Sequence, residues 1–220
     1  MGLSATGDRQ VSCRHTRPVE PGREVYQAVR VIAGHLRGAR FDAPPGQSTR
    51  PITDRVKETI FNIIGHRLGR LSDLSGLGVL DLFAGSGAFG IECLSRGAAD
   101  CLFVERDRRA VRVLRRNLAR LRLANARVAV ENAWTMRIPP APGGGYHLVF
   151  VDPPYRDADD PLRLADLFER LSPRLDPQGL VIFRHEARSS FDPEQLDVLR
   201  CVDDRVIGSM RLLLLAPRGE

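Results

Sequence analysis

The sequence predicts an α/β protein with a mostly parallel sheet and helices on both faces. Three observations lead to this fold class. Short apolar runs of strand length alternate with segments of helical periodicity after residue 76. A glycine-rich segment follows the first of these strands. The last two apolar runs have no helical segment between them, which indicates a terminal antiparallel pair. Alternating strands and helices favour parallel strands joined by helical crossovers.

The residues before this alternating pattern predict a tail, a small hairpin and one helix. Residues 1–25 mix Gly, Pro, Arg and Ser without periodicity, which is typical of a flexible tail. Residues 29–32 and 39–42 flank a basic turn bounded by glycines and predict a hairpin. Thr53 suits the N-cap of the helix that follows. The predicted units are the tail 1–25, the basic hairpin and helix 26–75, and the α/β domain 76–220.

Within the α/β domain, each element is predicted from its length and its period. The strands are short apolar runs rich in Val, Leu and Phe, whereas the helices place apolar residues three or four positions apart. The predicted strands are residues 79–83, 101–105, 127–130, 146–151, 180–184, 199–206 and 210–215, and the predicted helices are residues 88–95, 108–123 and 162–171.

The composition argues against several classes of protein. Apolar residues make up 43% of the 220 residues, which is enough for a core and argues against global disorder. No apolar run approaches the roughly 20 residues of a membrane span. Residues 1–20 lack the apolar core of an export signal. The four cysteines form no C-x-x-C pair, so we expect neither a metal site nor a disulfide framework. We therefore expect a cytoplasmic protein and, without a long apolar seam, a monomer.

The net charge of +6 is unevenly distributed along the chain. Residues 1–70 contain 12 Arg and Lys but six Asp and Glu, whereas residues 71–220 contain 21 of each. The excess of positive charge therefore precedes the α/β domain. A basic segment beside a neutral domain predicts a polyanionic partner.

Asp152, Pro153, Pro154 and Tyr155 directly follow the predicted strand 146–151. The prolines stiffen this loop, so the Asp152 carboxylate and the Pro153 carbonyl become fixed acceptors beside an aromatic ring. A nucleobase with an exocyclic amine fits, because the amine can donate to both acceptors while the base stacks on Tyr155. The loop therefore indicates methylation of an amino group on a base. Taken alone, it also fits a plain Pro-Pro turn with a surface tyrosine.

Gly85, Gly87 and Gly90 form a G-x-G-x-x-G pattern between the first strand and the first helix of the α/β domain. This pattern also suits NAD. Asp81 favours a different cofactor, because a carboxylate at the mouth of the loop would repel the pyrophosphate of a dinucleotide. The sulfonium and ammonium groups of S-adenosylmethionine would instead be attracted, directly or through water. The alternative for Asp81 is an acid that caps a helix or braces the loop.

Two further positions indicate a nucleoside. Glu105 closes the second strand 20 residues after Gly85, where a carboxylate can accept both ribose hydroxyls of either cofactor. Asp107 lies between two arginines, and we expect it to be a surface ion-pair partner. Asn132 and Ala133 follow the third strand and either meet the adenine edge or form a plain loop.

Together these motifs resemble class I S-adenosylmethionine-dependent methyltransferases and, more closely, the bacterial 16S rRNA guanine-N2 methyltransferase family. The resemblance covers about residues 29–216, and the block 50–62 is its most specific part. Ile52 stands where the family usually has Thr. Asn132 stands where an acid is common and is a weaker acceptor for the adenine amine. The segments that carry the resemblance are Arg-Val-Ile-Ala-Gly at 30–34, Arg-Pro-Ile-Thr-Asp-Arg-Val-Lys-Glu-Thr-Ile-Phe-Asn at 50–62, the glycine loop 81–90, Glu105 and the loop 152–155.

The resemblance implies a Rossmann-like class I methyltransferase fold, with a seven-stranded sheet whose last strand is antiparallel. It implies S-adenosylmethionine as cofactor and 16S rRNA, free or in the assembled small subunit, as the partner methylated at guanine N2. The predicted catalytic residues are Asp152, Pro153, Pro154 and Tyr155. The predicted cofactor-binding residues are Asp81, Phe83, Ala84, Gly85, Ser86, Gly87, Glu105, Arg106, Asn132, Ala133 and Asp152. Arg30, Arg37, Arg40, Arg50 and Arg55 are predicted to contact the RNA backbone, although Arg50 also suits closure over the cofactor.

Three other functions share part of this pattern. A DNA amino methyltransferase acting on adenine N6 or cytosine N4 would have the same two loops, but no separate DNA-recognition domain is visible between them. An NAD(P)-dependent oxidoreductase is supported by the glycines and Glu105 and opposed by Asp81 and the loop 152–155. A non-catalytic RNA-binding module is opposed by the intact loop 152–155.

Overall fold

The computed structural model describes residues 27–44, 52–154 and 157–219. The predicted tail 1–25 and the predicted site residues Arg50 and Tyr155 lie outside these ranges. Within the described ranges, no helix combines the length and the apolar character needed to cross a bilayer.

Seven strands form one sheet in the order β5-β4-β3-β6-β7-β9-β8. The last strand, β9, is antiparallel to both of its neighbours, and the pairs from β5 to β7 are parallel. The predicted α/β fold with an antiparallel last strand is therefore confirmed. The strands are β3 (Gly78–Leu82), β4 (Asp100–Val104), β5 (Ala126–Ala129), β6 (Tyr146–Val151), β7 (Leu175–Glu186), β8 (Leu199–Ile207) and β9 (Met210–Pro217).

Helices cover both faces of the sheet because the central strands are apolar on both sides. In β6, Leu148 and Phe150 join one core layer, while Val149 and Val151 join the other. The first layer packs against three helices and the second against one. The helices are α1 (Asp54–Arg67), α2 (Ala88–Ser95) and α3 (Arg108–Arg120) on the first face, and α4 (Pro161–Leu171) on the second.

Two predicted boundaries were wrong by several residues. Strand β7 begins at Leu175 rather than at residue 180. The Pro and the Gly in this segment indicate a turn, but a shift in the register between β6 and β7 accommodates them within the strand. Helix α3 ends at Arg120 rather than at residue 123. Arg122 adopts a left-handed backbone with φ of 55°, and this turn ends the helix.

The predicted hairpin is confirmed as β1 (Gln27–Arg30) paired antiparallel with β2 (Arg40–Ala43). Its turn packs against the carboxyl end of α2. Gly34 is required at this contact, because its φ is 78° and a Cβ atom there would lie 1.8 Å from the carbonyl oxygen of Ser95. The Ser95 hydroxyl also accepts from the Leu36 N–H at 3.0 Å.

A buried carboxylate, Glu92 of α2, joins the hairpin to α1 and α2. Its two oxygens accept from the N–H groups of Ile32 at 3.0 Å and Ala33 at 2.9 Å. The same carboxylate pairs with Lys57 of α1 at 3.1 Å and with Arg96 at 3.1 Å. Because Glu92 lies four residues into the helix that follows the glycine loop, these contacts fix the hairpin relative to the predicted cofactor site.

Candidate active site

The glycine loop between β3 and α2 turns through left-handed backbone conformations. Gly85 and Gly87 have φ angles of 54° and 85°, which glycine adopts at little cost. Phe83 has a φ of 63°, which is uncommon for a residue with a side chain. Its ring lies 4.9 Å from the ring of Trp134, and the Ala84 N–H donates to the Val104 carbonyl at 3.0 Å. The loop is therefore attached to the end of β4.

Asp81 lies beneath this loop and is 2% exposed. Its Oδ2 accepts from the Gly90 N–H in the first turns of α2 at 3.0 Å, which is the loop-bracing contact that the sequence allowed as an alternative. Burial raises the pKa of Asp81 well above its usual value, and the charges of Asp152 and Glu105 add to the effect. Oδ1 of Asp81 makes no hydrogen bond to any residue that the structure describes, so it remains an acceptor for a ligand.

Glu105 braces the same loop from the end of β4. Its Oε2 accepts from the Gly85 N–H at 2.9 Å, and its Oε1 accepts from the Asp107 N–H at 2.8 Å. A carboxylate oxygen has two lone pairs, so each oxygen retains one for a ribose hydroxyl. Asp107 was expected to be an ion-pair partner and is instead the N-cap of α3, where its carboxylate accepts from Arg109 N–H at 2.6 Å and Ala110 N–H at 2.9 Å.

Asp152 lies at the carboxyl end of β6 and is held by Arg184 of β7. The Arg184 Nε donates to Oδ1 of Asp152 at 2.8 Å, and Nη2 donates to Oδ2, so the pair is bidentate. Both side chains are largely buried, with 11% of Arg184 and 19% of Asp152 exposed. Pro153 is buried beside them. The predicted acceptor therefore has a fixed orientation, set by a partner that the sequence analysis did not name.

The loop after β5 contains the predicted adenine-binding residues. Asn132 uses its side-chain oxygen to accept from the Trp134 N–H at 3.2 Å, so this oxygen is already engaged in a turn. Ala133 is buried. The Trp134 indole N–H donates to Asp157 at 3.3 Å, and Arg106 pairs with Asp157 at 3.6 Å. These contacts bring the turn after β5 and the segment after Pro154 to one edge of the sheet.

Three carboxylates converge at this edge, since Asp81, Glu105 and Asp152 come from the adjacent strands β3, β4 and β6. A cluster of acids suits a cationic ligand and repels a pyrophosphate. S-adenosylmethionine fits, because it carries a sulfonium and an ammonium group and has no phosphate. The glycine loop, Glu105 and the turn 132–134 surround the place where its nucleoside would lie.

The predicted RNA contacts that the structure describes lie in the hairpin and in the first turn of α1. Arg37, Arg40 and Arg55 are exposed. Arg30 is also exposed and pairs with Asp54 at 2.7 Å, so it is partly neutralised. Arg50, the fifth predicted contact, lies outside the described residues.

Two features of the site region were not predicted from the sequence. Arg184 was placed in a strand without a role, because the neighbour of that strand was not predicted. The arginines of α3 were missed because charges were summed over residues 71–220. A count over shorter windows would have found them.

The family model described as "Conserved hypothetical protein 95" matches residues 29–216. The chain belongs to this family. A Bacillus subtilis (strain 168) relative, "Putative rRNA methyltransferase YlbH", is 38% identical over 87% of this chain and 100% of its own length. "Ribosomal RNA small subunit methyltransferase D" of Escherichia coli (strain K12) is 42% identical over 62% of this chain and 65% of its own length. The family resemblance found in the sequence is therefore confirmed.

Solved structures of similar proteins have the same fold. "Putative methyltransferase yhhF" from Escherichia coli superposes with a TM-score of 0.69 and 31% identity, covering 88% of this chain and 100% of that chain. The structure of "putative methylase HI0767" from Haemophilus influenzae gives a TM-score of 0.66 and 27% identity, covering 88% of this chain and 100% of that chain. The cofactor expected for this family of methyltransferases is S-adenosylmethionine, and the acidic edge described above fits it.

Proposed function

We propose that the protein transfers a methyl group from S-adenosylmethionine to the exocyclic N2 of a guanine in 16S rRNA. The observation that carries the proposal is the rigid acceptor pair, the Asp152 carboxylate and the Pro153 carbonyl, beside the three-carboxylate edge. The names of the relatives support rRNA as the substrate class. The basic hairpin and helix supply a surface for a polyanion.

The chain's part in the reaction is to orient a weak nucleophile. The lone pair of guanine N2 is delocalised into the ring, so the amine must become pyramidal before it can attack. Asp152 and the Pro153 carbonyl accept its two hydrogens and favour that geometry. Arg184 occupies one lone pair on each Asp152 oxygen and leaves the others for the amine.

The cofactor supplies an electrophilic methyl group on a sulfonium. The N2 lone pair forms the new N–C bond, the C–S bond breaks with its electron pair left on sulfur, and N2 loses one proton to water or to Asp152. Holding the two reactants in line is the main contribution that the protein can make to such a transfer. Asp81 and Glu105 hold the cofactor side, and Asp152 and Pro153 hold the base side.

The target base must be unpaired or flipped out, because a stacked guanine cannot reach the Pro153 carbonyl. Tyr155 is proposed to stack on the base, which would contribute about 1–3 kcal/mol to binding. Arg30, Arg37, Arg40 and Arg55 are proposed to contact the RNA backbone. The proposed setting is the bacterial cytoplasm, with a monomer acting on free rRNA or on the small subunit.

The test identifies the methylated nucleoside. Labelled S-adenosylmethionine is incubated with the protein and with small subunits, naked 16S rRNA or DNA from cells that lack the enzyme, and the products are digested. We expect N2-methylguanosine from rRNA or from the subunits. Methyladenine or methylcytosine in DNA would contradict the proposal, as would the absence of label from every substrate.

A pair of variants tests the acceptor. Asp152→Ala should abolish methyl transfer while the Kd for the cofactor stays within about threefold, since Asp81 and Glu105 still hold it. Asp197→Ala is the matched control, because Asp197 is an exposed acid outside the site. If Asp152→Ala binds the cofactor poorly and shows no separate loss of methyl transfer, the loop 152–155 does not hold the acceptor of the amine.

A further inference from the structure

Positive charge is concentrated on one helix of the α/β domain. Residues 106–127, which include α3, contain nine Arg and one Asp. The rest of residues 71–220 contain 12 Arg and Lys and 20 Asp and Glu. The domain is therefore neutral overall, but its positive and negative residues lie in different segments. A general preference for arginine along the whole chain would not produce this separation.

All the arginines of α3 face solvent. The helix buries Ala110, Val111, Val113, Leu114, Asn117 and Leu118 against the sheet. Its exposed positions are arginines together with Ala119. Together with the exposed Arg122, which follows the helix, these arginines form the basic face, which consists of Arg108, Arg109, Arg112, Arg115, Arg116, Arg120 and Arg122.

Within the described part of the chain, Arg116 and Arg120 of the basic face pair with Asp42, at 3.9 and 3.6 Å. Among the residues that the structure describes, Arg108, Arg112 and Arg115 form no ion pair. Like charges three or four positions apart destabilise a helix. Arg108 also lies in the first turn, where the helix dipole disfavours a cation. These arginines are therefore unfavourable for the isolated fold and suit an anionic ligand.

The basic face joins the hairpin to the cofactor edge. At one end, α3 starts immediately after Asp107, whose N–H contacts Glu105. At the other end, Asn117 exchanges two hydrogen bonds with the backbone of Asp42 in β2, at 3.0 and 2.8 Å. Arg120 also donates to the Arg40 carbonyl at 2.8 Å. The exposed arginines of the hairpin and those of α3 therefore form one continuous surface that ends at the active site.

We propose that the basic face binds the phosphate backbone of the rRNA next to the target guanine. This inference rests on the proposed function and names the surface that docks its substrate. Arginine forks match phosphate oxygens. A protein partner fits less well, because the centre of a protein interface is rich in apolar and aromatic side chains, which this surface lacks.

The test uses two charge-matched triple variants. In the first, Arg108→Gln, Arg112→Gln and Arg115→Gln neutralise the part of the basic face nearest the start of α3. In the second, Arg137→Gln, Arg174→Gln and Arg200→Gln remove the same charge elsewhere. Arg137 and Arg174 lie on the α4 side of the sheet and Arg200 lies on the β8 edge. Glutamine is a good helix former, so α3 should persist, and the urea midpoint and the cofactor Kd check this.

RNA binding is measured as a function of salt with a 16S rRNA fragment. Each lost phosphate contact should reduce the magnitude of the slope of log K against log salt by about 0.7–0.9, so the slope should fall by about 2.1–2.7 in the first triple and stay unchanged in the second. The KM for RNA should rise at least tenfold in the first triple, with kcat within about twofold. Equal binding by the wild type and both triples, or equal weakening in both triples, would overturn the inference.

The same assay separates this inference from the proposed function. If the wild type methylates rRNA and the first triple does so with an unchanged KM, the basic face does not dock RNA. If the wild type does not methylate rRNA at all, the proposed function fails instead. A defect of the first triple confined to assembled subunits, with normal binding to naked rRNA, would assign the surface to a ribosomal protein and overturn the RNA proposal.

Discussion

Glu92→Gln should destabilise the protein strongly, although it changes one atom. The Glu92 carboxylate is fully buried between Lys57 and Arg96, whose side chains are 0% and 5% exposed. Glutamine keeps the shape and removes the acid that pairs with both buried cations, which leaves Lys57 only the weaker attraction of Asp54. Its amide also places a donor beside groups that are themselves donors.

The magnitude follows from this geometry. Removing one partner of a buried ion pair costs about 3–5 kcal/mol, because the remaining charge is left uncompensated. The amide oxygen of glutamine can accept from the N–H of Ile32 or of Ala33, but not from both. The N–H left unpaired costs about 1–3 kcal/mol, and this cost overlaps in part with that of the lost ion pair. With a urea m-value of about 2–3 kcal/mol/M, the unfolding midpoint should fall by about 1–2.5 M.

The pH dependence provides a sharper test. Burial lowers the pKa of Lys57, and the attraction of Glu92 opposes that shift. The folded state therefore binds fewer protons than the unfolded state at alkaline pH, and stability rises as pH increases towards 10.5. Without Glu92 the pKa of Lys57 falls further, so the penalty of Glu92→Gln should shrink as pH rises. Titrations that both proteins share cancel when the variant is compared with the wild type at each pH. One of them is the titration of Tyr146, whose pKa is raised by burial.

Urea unfolding of Glu92→Gln, Lys57→Met and the double variant measures the coupling. We expect the double variant to be more stable than the sum of the two single changes predicts, since Lys57→Met removes one stranded charge. A midpoint for Glu92→Gln within about 0.3 M of the wild type would refute the reasoning, as would a penalty that does not depend on pH.

Two further predictions concern the active site. Because the pKa of Asp81 is raised mainly by burial, and a cationic cofactor favours its ionised form, the affinity for S-adenosylmethionine should rise with pH by at most tenfold per unit. Calorimetry in two buffers should show that cofactor binding releases up to one proton to the buffer. Asp81→Asn should show neither the pH dependence nor the proton release. A pH-independent affinity in the wild type would argue against contact between Asp81 and the cation. Arg184→Ala should lower kcat about 100-fold by releasing Asp152, with the Kd for cofactor and RNA within about threefold and partial recovery in Arg184→Lys. An unchanged kcat in Arg184→Ala would show that the ion pair does not position the acceptor.

The fold was predictable because its pattern is local. The ranges predicted for α2 and β6 agree with the structure at both ends, since each is an apolar run bounded by strong turn signals. The Thr53 cap was also correct, and its side chain accepts from the Val56 N–H at 3.3 Å. Asp107 was misread because charge was considered before position, although an acid directly before a helix is a typical N-cap.

The ion pair of Asp152 with Arg184 depends on strand order and register, which periodicity does not contain. Val151 pairs with Phe183 across β6 and β7, so the two charged residues are the next pair along these strands. The sequence predicted both strand ends and left their neighbours unspecified. The network of Glu92 was missed for the same reason, since its partners are 59 and 60 residues away in the hairpin and 35 residues away in α1.

The separation of acidic and basic residues on this protein affects both reactants of the proposed methyl transfer. A cationic cofactor and a polyanionic substrate must meet within a bond length, although the groups that attract one repel the other. The protein separates these fields: Asp81, Glu105 and Asp152 form the acidic edge, and α3 with the hairpin forms the basic surface. Arg184 pairs with the carboxylate that is proposed to face the incoming base. In the proposed reaction its buried guanidinium would let Asp152 accept the amine while limiting the repulsion between this acid and the RNA phosphates.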